Sequence, residues 1–305
     1  MPKYNELLTY HKMLTASASK KSIDDTILVG LPPVLRGKAK EALKLLGSFD
    51  RVIVAFSGGI DSTLVAYLAA LAVKKEVLAV TASSPSLASS DLRDAKRIAT
   101  EIGIKHLVIR TEELDDPSYV SNPANRCYFC KKELSEKLKQ LSANKRFSTI
   151  VDGTNADDLL GHRPGAAALV EGGVRRPLAE VGMTKTEVRE LARVLGLPNS
   201  DKPSSPCLSS RIQYGQKITP ERLMRIEKSE AFIRNLTGAK ELRVRDHGDL
   251  ARIEVGRDER RFFFDETMLD DIGMELRNLG FRYVCFDLIG YRSGSMNESL
   301  TPDMR

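Results

Sequence analysis

Short apolar runs alternate with amphipathic segments from Arg51 onward, and this alternation predicts strands and helices in turn. The predicted strands are Val52–Phe56, Glu76–Thr81, Lys105–Arg110 and Ser148–Asp152. The predicted helices between them are Asp61–Val73, Ser90–Gly103 and a segment in which Leu134, Leu138 and Leu141 share one face. Strands and helices that alternate at these lengths predict an α/β fold, a parallel sheet with helices on both faces.

The pattern changes after a loop rich in proline and serine, Asn199–Arg211. The segment before it, Thr184–Gly196, predicts a helix, because Thr184 and Glu187 have the spacing of a capping box. The elements predicted after it are a helix from Thr219-Pro220, strands at Leu242–Arg245 and Arg252–Val255, a helix at Glu266–Leu279 and a strand at Phe281–Leu288. Together they indicate a small α+β domain. We therefore predict a helical extension at residues 1–50, a first domain at 51–215 and a C-terminal domain at 216–305.

Composition narrows the class of protein. Hydrophobic residues make up 42% and charged residues 29% of the 305 residues, as in a soluble globular protein. No apolar run approaches the roughly 18 residues that a transmembrane helix needs, and the polar N-terminus lacks a signal-peptide core. We expect a cytoplasmic protein that does not bind membranes. The formal charge of +6 fits an anionic small molecule as well as RNA.

The segment SGGIDS, Ser57–Ser62, carries the clearest chemical signal. It lies between a predicted strand and a predicted helix, where glycines let the backbone approach an anion and the helix N-terminus favours negative charge. Two glycines alone would suit an ordinary turn, but this whole segment at this place indicates a phosphate-binding loop. The lysine with which a common P-loop binds the β- and γ-phosphates is missing from it.

Three of the four cysteines lie in segments where metal binding or redox chemistry is a reasonable expectation. Cys127 and Cys130 are three residues apart in a basic neighbourhood, and Cys207 lies in the loop rich in proline and serine. In a cytosolic protein such a pair favours metal binding or redox chemistry over a disulfide. Three thiolates would leave one iron of a [4Fe–4S] cluster open, whereas zinc more often takes a fourth protein ligand. His106 and His162 lack ligand spacing, and three unrelated buried thiols are the alternative.

Six further motifs follow the SGGIDS loop. They are VDGTNADD (Val151–Asp158), GHRPG (Gly161–Gly165), VRRPLAEVGMTKTEVRELARVLGLP (Val174–Pro198), KPSSPCLSSRIQYG (Lys202–Gly215), LRVRDHGDLARIEV (Leu242–Val255) and GFRYVCFDLIGYRSGSMNESL (Gly280–Leu300). The loop alone resembles the pyrophosphate loop (PP-loop) of the ATP pyrophosphatases, which include NAD and GMP synthetases, asparagine synthetases and tRNA thiolases. With the other motifs, the chain from about Arg51 to Leu300 resembles one family. It is the LarE family of ATP-dependent sulfur transferases, or sulfur insertases, which help to make the nickel-pincer nucleotide of lactate racemase.

The resemblance implies a fold and a reaction. The first domain would have the adenine nucleotide α-hydrolase-like fold and would cleave ATP between the α- and β-phosphates. Ser57, Gly58, Gly59, Asp61 and Ser62 would hold the pyrophosphate, and Asp61 would also bind Mg²⁺. The substrate would be a pyridinium-3,5-dicarboxylate mononucleotide. One carboxylate would be adenylated, and sulfur would then displace AMP to give a thiocarboxylate.

Two sulfur sources occur in the family that the chain resembles. One type sacrifices the sulfur of a single cysteine at the position of Cys207. The other holds a [4Fe–4S] cluster on three cysteines, and the open iron carries an extra sulfide. Cys127, Cys130 and Cys207 resemble the second type, so these three and Asp61 are the catalytic candidates.

The resemblance to this family also implies roles for residues outside the PP-loop and the cysteines. Ser210, Arg243 and Arg245 match residues that bind the substrate phosphate, a contact that suits the fork of arginine. Glu230 and Glu254 match ligands of a divalent cation. The alternative for the two arginines is an ordinary solvated strand face, and for Glu230 an ordinary charged helix position.

The expected cofactors are ATP, Mg²⁺ and a [4Fe–4S] cluster. The expected partners are a small nucleotide substrate, further copies of the chain in a homo-oligomer, a sulfur donor and proteins of the cofactor pathway. The C-terminal domain would bind substrate and oligomerise. We do not expect nucleic acid, since no RNA-binding module is visible and aromatic residues make up only 6%. Three alternatives stay open: a tRNA thiolase, an ammonia-using PP-loop ligase, and a non-enzymatic nucleotide or iron–sulfur sensor.

Overall fold

The computed structural model describes Leu28 and residues 30–160, 164–292 and 294–299. The chain divides into two compact units. The first unit contains the described residues up to Ser83, together with Ser89–Thr111 and Cys130–Ser204. The second unit contains Ser84–Ala88, Glu112–Phe129 and the described residues from Ser205 onward. The predicted domain boundaries at residues 50 and 215 stay predictions.

The predicted helices and strands are confirmed, with most bounds correct to within two residues. In chain order the elements are α1 (Pro33–Gly47), β1 (Arg51–Ala55), α2 (Ile60–Ala72), β2 (Glu76–Ser83), α3 (Ser89–Glu101), β3 (Lys105–Arg110), α4 (Pro117–Val120), α5 (Arg126–Lys145), β4 (Thr149–Val151), α6 (Pro164–Glu171), α7 (Pro177–Glu180), α8 (Lys185–Val194), α9 (Pro220–Thr237), β5 (Leu242–Asp246), β6 (Leu250–Val255), α10 (Glu266–Asn278) and β7 (Tyr283–Phe286). The short helices α4, α6 and α7 were not predicted, because a single helical turn or two leaves little periodic pattern.

The first unit is built on a four-stranded sheet in the order β3-β2-β1-β4, and every pair of neighbouring strands is parallel. Successive side chains of β1 point to opposite faces. Val52 and Val54 pack in the apolar core that contains residues of α1, α2, α3 and α8. Ile53 packs in a second core with Leu134 and Leu138 of α5. The predicted α/β fold with helices on both faces is therefore confirmed.

Helix α1 belongs to the larger of these two cores. Its buried residues Leu35, Ala39, Ala42 and Leu46 recur at helical spacing and pack in the same cluster as α2. Pro33 at the first helical position suits a helix start, because proline has no N–H to satisfy there. The rest of the predicted extension, residues 1–27 and 29, lies outside the described residues.

The second unit contains a three-stranded sheet in the order β5-β6-β7. β5 and β6 are antiparallel, whereas β6 and β7 are parallel. Its core gathers residues of α9, α10 and all three strands, including Ile233, Val244 and Leu276. Helix α9 starts as predicted, with the Thr219 side chain accepting a hydrogen bond from the N–H of Arg222. The predicted small α+β sheet region is confirmed. In the described part of the chain, every helix is too short or too polar to cross a membrane.

Candidate functional site

The SGGIDS loop occupies the turn between β1 and α2 in the first unit. Gly58 has a φ of +70°, and a Cβ there would lie 2.9 Å from the Cα of Ala95. A side chain would therefore be strained by the backbone conformation and would also clash with α3. The second glycine, Gly59, is the N-cap of α2 and provides no side-chain cap. The N–H groups of the first turn of α2 stay available to an anion.

Two serine hydroxyls brace this loop from within. Ser62 Oγ accepts a hydrogen bond from the N–H of Ser57 at 3.2 Å and donates one to the carbonyl oxygen of Gly59 at 3.0 Å. Ser57 Oγ accepts from the N–H of Gly59 at 3.2 Å and lies 3.1 Å from Ser62 Oγ. These hydrogen bonds join residues of the loop only to one another and hold its shape from within.

Asp61 lies in the first turn of α2 and has two partners from distant segments. Asn155 donates through Nδ2 to Asp61 Oδ1 at 3.1 Å. Lys185 forms an ion pair with the other carboxylate oxygen. Lys185 is placed there because it is the first residue of α8, between Thr184 and Glu187, which form the capping box of this helix. The loop therefore has a lysine in place, although its own sequence has none.

The VDGTNADD segment follows β4 and contacts the SGGIDS loop directly. A Cβ at Gly153 would lie 2.5 Å from the backbone nitrogen of Ser62, so only glycine allows this approach. The carboxylate of Asp152 accepts two hydrogen bonds from Thr154, each 2.9 Å long. Burial nevertheless raises the pKa of Asp152 above its usual range. The predicted second loop at the nucleotide site is thus next to the first.

Asn199 supports the SGGIDS loop from a third segment. It is buried, and its Nδ2 donates to the carbonyl oxygen of Gly58 and to Thr63 Oγ1, both at 2.9 Å. These contacts fix the peptide at the glycine with positive φ. Asn155, Lys185 and Asn199 were not singled out from the sequence. Each lies in a segment quoted there or at its edge, but the contact of each with the loop depends on tertiary structure.

Cys127 and Cys130 lie one turn apart in α5, which begins at Arg126. The sequence placed the pair before the helix; in fact it occupies the helix start, because Leu134 continues a helix that begins earlier. Cys127 and Cys207 are exposed, and Cys130 is half-buried. Among the described residues no three His, Cys, Asp or Glu side chains are grouped closely enough to hold a metal ion. The cluster set of Cys127, Cys130 and Cys207 stays a prediction.

In the second unit, the buried Arg126 is the first residue of α5 and directly precedes Cys127 in the chain. The pKa of Arg126 lies above its usual value: burial lowers it, but the negative charges of Cys207, Tyr214 and Cys127 outweigh that effect. Its guanidinium lies over the Tyr214 ring, 4.6 Å from the centroid.

The residues predicted to bind a substrate phosphate are partly brought together. Arg245 donates to the backbone oxygen of Ser210 at 3.2 Å. Arg243 is buried, and its pKa is lowered by burial and by the nearby charge of Arg211. Arg211 donates to the carbonyl oxygen of Cys207 at 3.0 Å. Several buried guanidinium groups beside one loop suit an anion.

Glu230 and Glu254, predicted as metal ligands, are paired with arginines in this structure. Glu230 accepts from Arg211 at 2.9 Å and from Arg234 at 2.8 Å. Burial raises the pKa of Glu230, but these guanidinium groups hold it below its usual range. Glu254 forms an ion pair with Arg245 at 2.7 Å. Both carboxylates hold arginines in place, and their role as metal ligands stays a prediction.

Comparison with known proteins decides the family. The NAD synthase family model matches residues 39–146, which contain the SGGIDS loop. An uncharacterized protein of Synechocystis is 44% identical over 88% of this chain and 100% of its own length. The pyridinium-3,5-bisthiocarboxylic acid mononucleotide synthase of Lactiplantibacillus plantarum is 37% identical over 88% of this chain and 96% of its own length. The chain belongs to the family of this synthase.

Membership of this synthase family fits the geometry of the loop. A further relative, an uncharacterized protein of Methanocaldococcus jannaschii, is 33% identical over 84% of this chain and 96% of its own length. The resemblance inferred from the motifs is confirmed, and the protein is an ATP-using enzyme with a PP-loop domain. The NAD synthase model covers only the segment around the PP-loop, whereas the synthase similarity extends over both units.

Proposed function

We propose that the protein uses ATP to adenylate a ring carboxylate of pyridinium-3,5-dicarboxylate mononucleotide and then replaces AMP with sulfur, giving a thiocarboxylate. One observation carries this proposal: the chain matches 96% of a synthase named for a pyridinium bisthiocarboxylate mononucleotide, with the PP-loop intact. The reaction needs activation first, because a free carboxylate has a poor leaving group. Adenylation makes AMP the leaving group.

In the first step a carboxylate oxygen of the substrate attacks the α-phosphorus of ATP. The bond from this phosphorus to the bridging oxygen breaks, and pyrophosphate leaves with the electron pair. The backbone N–H groups at the start of α2 and the hydroxyls of Ser57 and Ser62 support the role of the loop as the pyrophosphate cradle. Asp61 would hold Mg²⁺, and Lys185 would neutralise phosphate charge once Asp61 turns to the metal.

In the second step a sulfur anion attacks the carbonyl carbon of the acyl adenylate. The C–S bond forms, the C–O bond to AMP breaks, and AMP takes the electron pair. If the sulfur is that of Cys207, loss of the cysteine α-proton and cleavage of its Cβ–S bond release the thiocarboxylate and leave dehydroalanine. The [4Fe–4S] cluster stays a prediction of the family resemblance.

The substrate phosphate would be held in the second unit by Ser210, Arg243 and Arg245. Supporting this, Arg245 contacts the backbone of Ser210, and the buried Arg243 stacks on Tyr291 with its guanidinium carbon 5.2 Å from the ring centroid. Arginine presents paired N–H donors to a phosphate.

The test is anaerobic incubation of the purified protein with Mg²⁺, ATP and the dicarboxylate mononucleotide. We expect AMP, pyrophosphate and a product heavier by the replacement of oxygen with sulfur, detected by mass spectrometry. Unmodified tRNA replaces the mononucleotide in a parallel reaction, and ammonia replaces the sulfur source in another. AMP formed only with tRNA would make the protein a tRNA thiolase, and an amide product would make it an ammonia-using ligase.

A further inference from the structure

His106 is a half-buried histidine of β3 whose imidazole contacts a hydroxyl on the neighbouring strand. Its Nε2 lies 2.8 Å from Oγ1 of Thr81, a buried residue of β2. Ala79 is the register partner of His106, and Thr81 lies two residues further along β2. Because side chains alternate between the faces of a sheet, His106 and Thr81 share one face. The contact is therefore built into the pairing of β2 with β3.

The hydroxyl of Thr81 decides which nitrogen of His106 carries a proton. Thr81 Oγ1 donates to the carbonyl oxygen of Phe56 at 2.6 Å, and this bond uses the single proton of the hydroxyl. The same oxygen can then only accept from His106, so Nε2 is the donor. Burial and the charge of Lys96 lower the pKa of His106, which favours the uncharged ring at neutral pH. The uncharged ring is thus the Nε2–H tautomer.

Phe56 is the residue through which β1 enters the SGGIDS loop. The register of β1 with β2 ends at Ala55 and Val80, and the N–H of Phe56 still donates to the carbonyl oxygen of Val80 at 2.8 Å. Beyond that point the Thr81 side chain holds the carbonyl oxygen of Phe56. The Phe56 ring also packs edge-on against the His106 ring, with the centroids 5.7 Å apart. His106 therefore supports this residue twice, through its ring and through the threonine hydroxyl.

The hydrogen bonds continue from this peptide group into the loop in one direction. The peptide group with the carbonyl of Phe56 also contains the N–H of Ser57, which donates to Ser62 Oγ at 3.2 Å. Ser62 Oγ in turn donates to the carbonyl oxygen of Gly59 at 3.0 Å. The N–H of that peptide group belongs to Ile60, the first residue of α2, where a helix leaves its N–H groups without intrahelical acceptors. Hydrogen bonds that point the same way along a chain polarise one another, so the imidazole strengthens a donor at the helix start.

We propose that His106 is a positioning residue of the pyrophosphate loop: its Nε2–H donates to Thr81, and this hydroxyl fixes the peptide group at which β1 enters the loop. The inference rests on the proposed function for the ligand of the loop, whereas the hydrogen bonds themselves do not. His106 acts through Thr81 rather than on the ligand. The peptide groups that would receive pyrophosphate are thus set before the ligand arrives, and binding needs little rearrangement of the loop.

The first experiment observes the imidazole proton of His106 by NMR in full-length protein labelled with 15N-histidine. An imidazole N–H gives a one-bond 1H–15N signal only where a hydrogen bond slows its exchange with water. The wild type should show such a signal on Nε2, and His106→Gln should remove it, which assigns it. Thr81→Ser should keep the signal and Thr81→Val should lose it. A signal on Nδ1, no signal in the wild type, or a signal retained in Thr81→Val overturns the proposed hydrogen bond.

The second experiment measures the binding of Mg²⁺–pyrophosphate to the full-length protein by calorimetry. Thr81→Val removes the hydroxyl at nearly constant volume, and His106→Phe removes the donor while keeping a ring beside Phe56. Each should raise the dissociation constant about three- to tenfold, because one hydrogen bond of the chain is lost. His106→Gln places an amide N–H near the position of Nε2 and should keep the dissociation constant within about twofold of the wild-type value.

A double variant tests whether the two residues act through one chain of hydrogen bonds. Thr81→Val combined with His106→Phe should weaken binding no more than either single change, because both break the same chain. Ser148→Ala is the matched control. The Ser148 hydroxyl donates at 3.0 Å to the carbonyl oxygen of Arg51, at the end of β1 far from the loop. Its removal should leave the dissociation constant unchanged.

Three results of the binding experiment overturn the inference: wild-type binding in both Thr81→Val and His106→Phe, additive losses in the double variant, and equal losses in His106→Gln and His106→Phe. Wild-type protein that does not bind pyrophosphate overturns it as well, and the proposed reaction is then judged by its products alone. If the variants bind as expected but the wild type makes no thiocarboxylate, the proposed function fails while the role of His106 stands.

Discussion

At the scale of single residues, the positive charge beside the SGGIDS loop comes from a lysine in another segment of the chain. Asp61 forms an ion pair with Lys185, which lies 124 positions later in the chain. A P-loop carries its lysine within its own sequence because it transfers the γ-phosphoryl group. In this protein α8 delivers the lysine to a loop that would hold pyrophosphate.

Lys185→Gln should abolish most adenylation without unfolding the protein. The paired side chains of Lys185 and Asp61 are 31% and 22% exposed, so the pair contributes at most about 1 kcal/mol to stability. Loss of a cation at the phosphates should slow AMP formation about a hundredfold or more. A radiolabelled ATP assay and urea unfolding measure the two effects.

The matched control is Lys38→Gln. Lys38 forms a pair with Glu187 at 2.8 Å with similar exposure, 23% and 21%, but it has no contact with Asp61. It should lose comparable stability and keep AMP formation. If both variants keep full AMP formation, Lys185 has no role at the phosphates.

Asp152 should make the stability of the protein fall as pH rises. Burial raises its pKa above 3.8, and hydrogen bonds from Thr154 and the charges of Lys131 and Arg176 only partly oppose this. The folded protein therefore keeps the proton to a higher pH than the unfolded chain does. The contribution of Asp152 is full below about pH 3.9 and is lost as pH rises through the folded-state pKa.

Urea unfolding of the wild type and Asp152→Asn at several pH values isolates this contribution, since other groups cancel in the difference. The free energy of unfolding of the wild type, relative to the variant, should decrease from about pH 3.5 to about pH 7. A difference that grows with pH would mean that the fold favours the Asp152 carboxylate.

At the scale of elements, the predicted nucleotide site depends on how closely the turn after β4 approaches the start of α2. Gly153 has no room for a Cβ, since the obstacle is backbone, which cannot rotate away. Sheet order explains the contact: β4 pairs with β1 at the edge from which both loops emerge. Parallel neighbouring strands bring their carboxyl ends together, which is where ligands bind in open α/β sheets.

Gly153→Ala should destabilise the protein by about 1–3 kcal/mol and slow adenylation, because the two loops must separate. Gly37→Ala is the matched control, because it makes the same substitution at another glycine. Gly37 is an exposed position within α1, and a Cβ added there would meet no atom within 4 Å, so alanine should stabilise by up to about 1 kcal/mol. Thermal unfolding of both variants checks the opposite signs. Equal effects would argue against the close approach of the β4 turn.

At the scale of the whole molecule, the two units carry different halves of the proposed reaction. The first unit holds the loop for ATP, and the second holds Cys127, Cys207 and the arginines. The positive formal charge of the chain, +6, suits substrates that all carry phosphate or carboxylate.

The source of sulfur can be determined on the intact protein. If Cys207 is sacrificed, its peptide should lose hydrogen sulfide in mass after a single turnover. If a cluster delivers sulfur, anaerobically purified protein should contain about four irons per chain, and the Cys207 mass should stay constant over several turnovers. Cys127→Ser separates the routes, since it should remove iron in the second case only. Turnover without iron and without a mass change at Cys207 would exclude both sources.

Much of this protein was determined by local sequence. Alternating apolar runs gave β1 to β4 in order, and the capping box at Thr184 placed α8, because each of these signals acts over a few residues. The SGGIDS segment predicted its own turn, since glycine is needed at the positive φ of Gly58. Helix α5, which carries Cys127, begins earlier than the sequence predicted. The apolar pattern that predicted this helix starts at Leu134, and the first turn of the helix has no apolar pattern of its own.

Tertiary structure alone decided which distant residues complete the sites. Lys185, Asn155 and Asn199 reach the loop only because α8 and the segments around it fold back on α2. Periodicity reports the face that a residue occupies on its own element. Charge pairing and close approach depend on which elements meet in the fold. These contacts between distant residues could not be predicted from the local sequence pattern.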